Sequence, residues 1–178
     1  MNSIILTGPK HSGKTNTGKT LASLCSCDFI DLDELITQKT GKTPRQLFTE
    51  DPLLFKQAEA DAVKVLTNKD CSRGPCLCII ATGGGIIDNP EAIVELKKLG
   101  VVVYLCISAD AAWSRIASSG ELPPFLQTEN PHDSHRILHE RRAAAYLLIA
   151  DAVIETEGKT PEEIAVEIFK LNINKRHV

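Results

Sequence analysis

The 178-residue sequence predicts an α/β fold, a five-stranded parallel sheet flanked by helices on both faces. Three observations carry it. Short β-branched apolar runs alternate with longer segments of helical periodicity. Two of the runs, CIIAT and VVVYLCI, are apolar at successive positions, as strands buried on both faces require. Helix-opening signals fall between the runs.

In chain order, the first strand is expected over Ser3–Thr7, followed by a periodic segment from Lys14 to about Leu24. A second strand is expected over Asp28–Asp31 and a third over Leu77–Ala81. Between them Thr43 before Pro44 opens a helix, and after the third strand Asn89 before Pro90 opens another: each pairs a side chain able to cap with a ring that needs no N–H partner. The fourth strand is expected over Val101–Ile107 and the fifth over Ala152–Glu155. Thr160 before Pro161, with Glu163 completing a capping box, starts the last helix. Residues 118–135, rich in Gly, Pro, Ser and Asn, interrupt the alternation and are expected to form either a mobile lid or a long surface loop.

The length suits one domain with a substantial core, residues 1–178. With 43% hydrophobic and 24% charged residues the chain has the balance of a folded soluble protein, and no apolar run approaches the ~18 residues of a membrane span. MNSIILTG lacks the basic flank and cleavage site of a secretory signal, which makes the cytoplasm the default. A formal charge of −3 without a basic block argues against nucleic acid as a partner. The cysteines at 25, 27, 71, 76, 78 and 106 form no CxxC pair, so small buried hydrophobes are the simplest reading of those in apolar runs.

Residues 8–20, GPKHSGKTNTGKT, fit the phosphate-loop pattern G-x-x-x-x-G-K-[ST] twice, over Gly8–Thr15 and over Gly13–Thr20. A phosphate loop requires a strand, then a glycine-rich turn with inward amides, then a helix N-terminus. Only the first register has that order. In the second, Lys19 and Thr20 lie beyond the first helical turn, where amides are committed to i→i−4 hydrogen bonds. Lys14 is therefore assigned to the β/γ-phosphates of a nucleotide and Thr15 to Mg²⁺. The stretch from Lys10 through His11, Ser12 and Gly13 to Thr15 and Asn16 wraps the phosphates, with His11 serving through its backbone. Gly18 is read as a close-packing position and Lys19 as solvated or lying near the nucleotide.

Three further pieces concern the group that receives the phosphate. FIDLDELI ends a strand with Asp31 and puts Asp33 two residues on, at the carboxyl end of the sheet where open α/β folds bind ligands. One carboxylate suits a metal's water shell and the other suits taking a proton from a hydroxyl, while a helix cap at Asp31 is the plain alternative. Gly83, Gly84 and Gly85 follow the third strand, and three consecutive glycines cost about 1 kcal/mol each to order, more than a mere turn would need. Lys56 and Arg142 are cations on helical segments with apolar neighbours, ordinary surface charge being the plain alternative for either.

Taken together, GKTNTGKTLA, DLD, FKQAE, ATGGG, VVVYL and the late RAAAY leading into IADAVIET resemble the shikimate kinase family over nearly the whole chain. The resemblance implies a three-layer P-loop kinase fold with a mobile lid, acting on shikimate with ATP and Mg²⁺, in a chain expected to be a monomer. It implies that Asp33 binds and deprotonates the 3-hydroxyl of shikimate and that Asp31 assists Mg²⁺. By the same resemblance Gly83, Gly84 and Gly85 contact ring hydroxyls, and Arg142, with Lys56, holds the carboxylate. Arg115 falls where the family has an arginine beside adenine, a solvated helix position being the alternative, and Lys159 falls near the base.

Two positions depart from the family pattern. Phe55-Lys56-Gln57-Ala58-Glu59 has lysine where the family has arginine, which keeps the charge and loses the planar two-point grip. Pro123 stands where the family lid carries an arginine, a group worth several powers of ten in phosphoryl transfer. The alternatives are thus a nucleotide-binding protein with weakened transfer, or a kinase for another small hydroxylated acid. His132, His135 and His139 are expected to be solvated or capping residues rather than metal ligands.

Overall fold

The computed structural model describes residues 3–67, 78–118, 122 and 126–174. Five strands form a parallel sheet: β1 (Ser3–Thr7), β2 (Asp28–Asp31), β3 (Cys78–Ala81), β4 (Gly100–Cys106) and β5 (Ala152–Glu155), in the order β2-β3-β1-β4-β5. Helices connect them: α1 (Lys14–Cys25), α2 (Leu32–Thr40), α3 (Pro44–Glu50), α4 (Pro52–Thr67), α5 (Pro90–Leu99), α6 (Ala109–Ser118), α7 (Pro131–Ile149) and α8 (Pro161–Asn174), with a 3₁₀ turn at Ile86–Asp88.

Alternate residues of the strands feed two cores. Leu6, Ile79, Val103 and Leu105 pack with Leu21 of α1 and Ile164 and Ile168 of α8. Ile5, Ile80, Val102 and Tyr104 pack on the opposite face with Ile36, Val63, Leu96 and Tyr146. Side chains of this size contribute about 1.5–3 kcal/mol each on full burial, which explains why β1 and β3 carry apolar residues on both faces. The third layer, helix against sheet against helix, follows directly.

Helix starts obey the local signals. Thr43 and Gln46 form a reciprocal capping box, Asn89 accepts from the Ala92 amide, and Thr160 and Glu163 exchange hydrogen bonds of 3.2 and 2.8 Å. Two boundaries differ from the sequence reading. β4 begins at Gly100 and ends at Cys106, one residue earlier than expected at each end, because Ser3 pairs with Gly100 across the ladder. The irregular segment assigned to 118–135 is too wide: residues 131–135 are the first turns of α7, opened by Asn130 as cap and Pro131 at the first helical position. Leu77, the expected start of β3, lies outside the described residues.

Leu6 of β1 and Asp31 of β2 are both level with Ala81 of β3. The loops that leave these strands therefore emerge side by side at one edge of the sheet.

Candidate active site

The turn after β1 is built by backbone constraints. Gly8 has φ 143°, and a Cβ there would lie 2.5 Å from the Leu105 carbonyl oxygen, so no side chain fits. Gly13, with φ 91°, caps α1 through its backbone, and no side chain among the described residues caps that helix. The first amides of α1 are left to face the turn, with the positive end of the helix dipole behind them.

Lys14 reaches back over this turn, donating from Nζ to the carbonyls of Gly8 at 3.0 Å and Pro9 at 2.7 Å. Burial pulls its pKa down from 10.5 to about 8, against the opposing pull of Asp33 and Asp31. Lys19 belongs elsewhere: it is exposed on α1, 5.9 Å from the centre of the Phe29 ring. Gly18 abuts the same ring, so a Cβ there would collide with Phe29. His11 takes φ 63° and its carbonyl accepts from Arg115 Nη1 at 2.8 Å, which ties α6 to the turn. Burial, then Lys10, Lys14 and Arg115, hold the His11 imidazole pKa below its ordinary value.

Asp31 performs two tasks at once. Its Oδ1 accepts from the amides of Asp33 at 3.0 Å and Glu34 at 3.4 Å, capping α2, while Oδ2 accepts from Thr15 Oγ1 at 2.9 Å. The helix cap is thus what aims the carboxylate at the phosphate loop. Asp33, two residues along, has its pKa raised by burial and by Asp31, with Lys14 and Lys10 opposing. Lys10, Lys14, Thr15, Asp31, Asp33 and Gly84 converge on one pocket of about 250 Å³, which His11, Gly13, Asn16 and Gly83 also line. Ser12 is fully buried beside Lys14, its Oγ 3.5 Å from Nζ.

The glycine run is required for close approach, since none of its members has positive φ. A Cβ at Gly84 would lie 2.7 Å from the Lys10 amide nitrogen, one at Gly83 2.9 Å from Asp33 Oδ1, and one at Gly85 3.3 Å from Arg142 Nη2. The Gly84 carbonyl accepts from Tyr146 at 3.1 Å and from Arg142 Nη1 at 3.2 Å. Tyr146 stacks on Tyr104 with ring centres 5.1 Å apart, so the core side chains of β4 and α7 hold this loop from beneath.

Beyond the glycines a second cleft of about 730 Å³ opens, bordered by Phe55, Lys56, Glu59, Gly85, Asp88 and Arg142. Lys56 sits there exposed. Glu59 is buried, accepts from Asn89 at 2.9 Å and has its pKa pushed up to about 7, chiefly by burial, with the Asn89 hydrogen bond opposing. Arg142 is paired with Asp88, through Nε at 2.9 Å and Nη2 at 2.7 Å.

The sequence-assigned residues therefore fall into two adjoining places, the phosphate loop with its carboxylates and the cleft with its cations. Lys159, two residues before α8, pairs with Glu167 in the middle of that helix at 2.7 Å. Pro123 lies outside the described residues. His132 and His135 pack against Trp113, with ring centres at 5.2 and 5.6 Å, and His135 lies 5.6 Å from His139. Sequence reasoning missed Asp88, Glu59 and Tyr146 as parts of the site. Glu59 follows Lys56 by three residues on one helix, a spacing that places both on one face; Asp88 and Tyr146 offered no local signal, since their partners lie 54 and 62 residues away.

A protein-family model described as shikimate kinase matches residues 10–172 of this chain. A shikimate kinase from Thermodesulfovibrio yellowstonii is 36% identical over 171 residues, covering 96% of this chain and 94% of the relative. One from Lactococcus lactis is 35% identical, covering 93% and 95%. Among solved structures, shikimate kinase from Acinetobacter baumannii in complex with shikimate superposes with a TM-score of 0.86 at 32% identity, covering 100% of this chain and 96% of that one. The Aquifex aeolicus shikimate kinase gives 0.80 at 29% identity, covering 99% and 98%.

Proposed function

This chain belongs to the shikimate kinase family, and we propose on that footing that it transfers the γ-phosphoryl group of ATP to the 3-hydroxyl of shikimate. The observation that carries the proposal is the adjacency of two cation-bearing places. A lysine-capped phosphate loop with Asp33 and a cleft with Lys56 and Arg142 meet at the glycine run.

In this reading Lys14 exchanges its two carbonyl partners for the β- and γ-phosphate oxygens, and the α1 amides donate to the remaining phosphate oxygens and stabilise their charge. Asp33 accepts the proton of the acceptor hydroxyl, and the elevated pKa that burial and Asp31 impose on it makes it the better base. The hydroxyl oxygen bonds to the γ-phosphorus as the bond to the β–γ bridging oxygen breaks, releasing ADP and leaving the proton on Asp33. Thr15 and Asp31 present only oxygen donors, which fits Mg²⁺; bound there with the phosphates, it would offset the charge on the transferring group. Gly83 and Gly84 leave room for the ring of the acid, while Arg142 and Lys56 hold its carboxylate. Arg115, tied to His11, borders the nucleotide.

The reading carries a monomer working in the cytoplasm on a small acid; no helix among the described residues is long and apolar enough to cross a membrane. Coupled ADP release with purified protein tests it, and the absence of shikimate-dependent turnover at saturating ATP would refute it. Pro123 in the sequence favours a second reading, a member of the family with weakened transfer. ATP binding with negligible turnover is its signature, and a panel of small hydroxylated acids separates it from a change of acceptor.

A further inference from the structure

The cleft that holds Lys56 and Arg142 contains a carboxylate of its own. Asp88 ends the 3₁₀ turn just after the glycine run, and its Oδ2 accepts from Arg142 Nε at 2.9 Å and Nη2 at 2.7 Å. Its Oδ1 contacts Arg141 Nη2 at 2.9 Å. Nε together with one Nη is the guanidinium edge that carboxylates grip side-on. The inner pair is sheltered, with Arg142 18% and Asp88 25% exposed, whereas Arg141 is 60% exposed at the rim. Arg142 is also held against the glycines through its hydrogen bond to Gly84.

We infer that Asp88 is an internal competitor for Arg142, a specificity-setting carboxylate that an acidic acceptor must displace, and that Arg141 retains it once displaced. The inference rests on the reading of this cleft as the acceptor site. Two anions cannot both grip one guanidinium edge, and a tethered carboxylate competes at a high effective concentration. An uncharged polyol brings nothing to exchange for Asp88 and leaves the pair closed. An acceptor with a full carboxylate restores the ion pair it breaks, and the second arginine keeps the released Asp88 from being left unpaired beside it. Buried Glu59, which also lines the cleft, adds to the cost of any anion there only in its ionised form.

A merely orienting role for Asp88 predicts the opposite sign, because losing the clamp would loosen Arg142 and weaken acid binding. The full chain carrying Asp88→Asn, with Asp88→Ser as a second variant should the first fail to fold, is assayed for ADP release at saturating ATP and for shikimate binding by calorimetry. The expected result is a fall of about tenfold in the KM and Kd for shikimate, with kcat changed far less. Arg141→Gln should raise KM in the otherwise native chain and add nothing in the Asp88→Asn background. Unchanged or raised KM and Kd in the folded Asp88 variants overturns the inference, and with native turnover intact it does so without touching the proposed function. Binding that appears only in Asp88→Asn, with no turnover in the native chain, refutes the proposed function while supporting the inference. Absence of shikimate binding in every variant overturns both.

Discussion

Replacing Lys14 by Met tests the register of the phosphate loop and has a stability consequence that can be worked from the structure. Burial lowers the Lys14 pKa from 10.5 to about 8, a difference worth about 3 kcal/mol at 1.36 kcal/mol per unit. Both values lie above 7, so at neutral pH the ammonium is present in the folded and unfolded chain alike and the penalty is felt in full; it is relieved as pH rises from about 8 through 10.5. Against it stand the hydrogen bonds to Gly8 and Pro9, at about 1.5 kcal/mol each for a charged donor. The two sums nearly cancel. Lys14→Met is therefore expected to keep its stability to denaturant within about 1 kcal/mol at pH 7 while losing a factor of about a hundred to a thousand or more in kcat. Lys19→Met, at an exposed site with a cation–π contact to Phe29, should lower stability by about 0.5 kcal/mol and leave kcat within a few-fold. Equal losses of kcat in the two folded variants would refute the reasoning. The same pKa predicts that ATP binding takes up a proton above about pH 8, since phosphate charge restores the ammonium; calorimetry in buffers of different ionisation enthalpy reads this directly.

Gly84→Ala sets a Cβ 2.7 Å from the Lys10 amide, a backbone atom that cannot step aside without moving the phosphate loop. A loss of about 1–3 kcal/mol in thermal or denaturant stability and a raised KM for ATP are expected, and a native-like variant would show the loop to be more compliant than this. Glu59 holds its proton up to about pH 7 when folded and to 4.5 when unfolded, so the native chain should lose stability as pH rises through that window, by about 3 kcal/mol at most. Glu59→Gln should abolish this slope, and denaturation curves at pH 5 and pH 8 decide it. His135 and His139, whose pKa values burial lowers, act in the other direction: the unfolded chain binds more protons below 6.5, and stability falls as pH drops from there. His139→Gln should reduce that acid-side loss without changing stability at pH 8 by the same amount; an identical pH profile would count against it.

The sequence by itself determined the layered architecture, because strand burial on both faces and proline-marked helix caps are local properties that survive in any context. It also supports one Gly-Lys-Thr over the other as head of the phosphate loop, since the order of strand, turn and helix is written along the chain. The structure sharpened what local reading left open at Asp31, where a metal's water shell and a helix cap stood as alternatives: Oδ1 caps α2 while Oδ2 is turned to Thr15. It also showed why residues 83–85 are glycines, through the approach of Lys10, Asp33 and Arg142 from three other segments. Only the tertiary structure could decide that Arg142 already has a partner in Asp88, that Tyr146 props the Gly84 carbonyl, and that Glu59 is buried close to neutral. These facts depend on which distant side chains meet, and electrostatics and desolvation act through space rather than along the backbone.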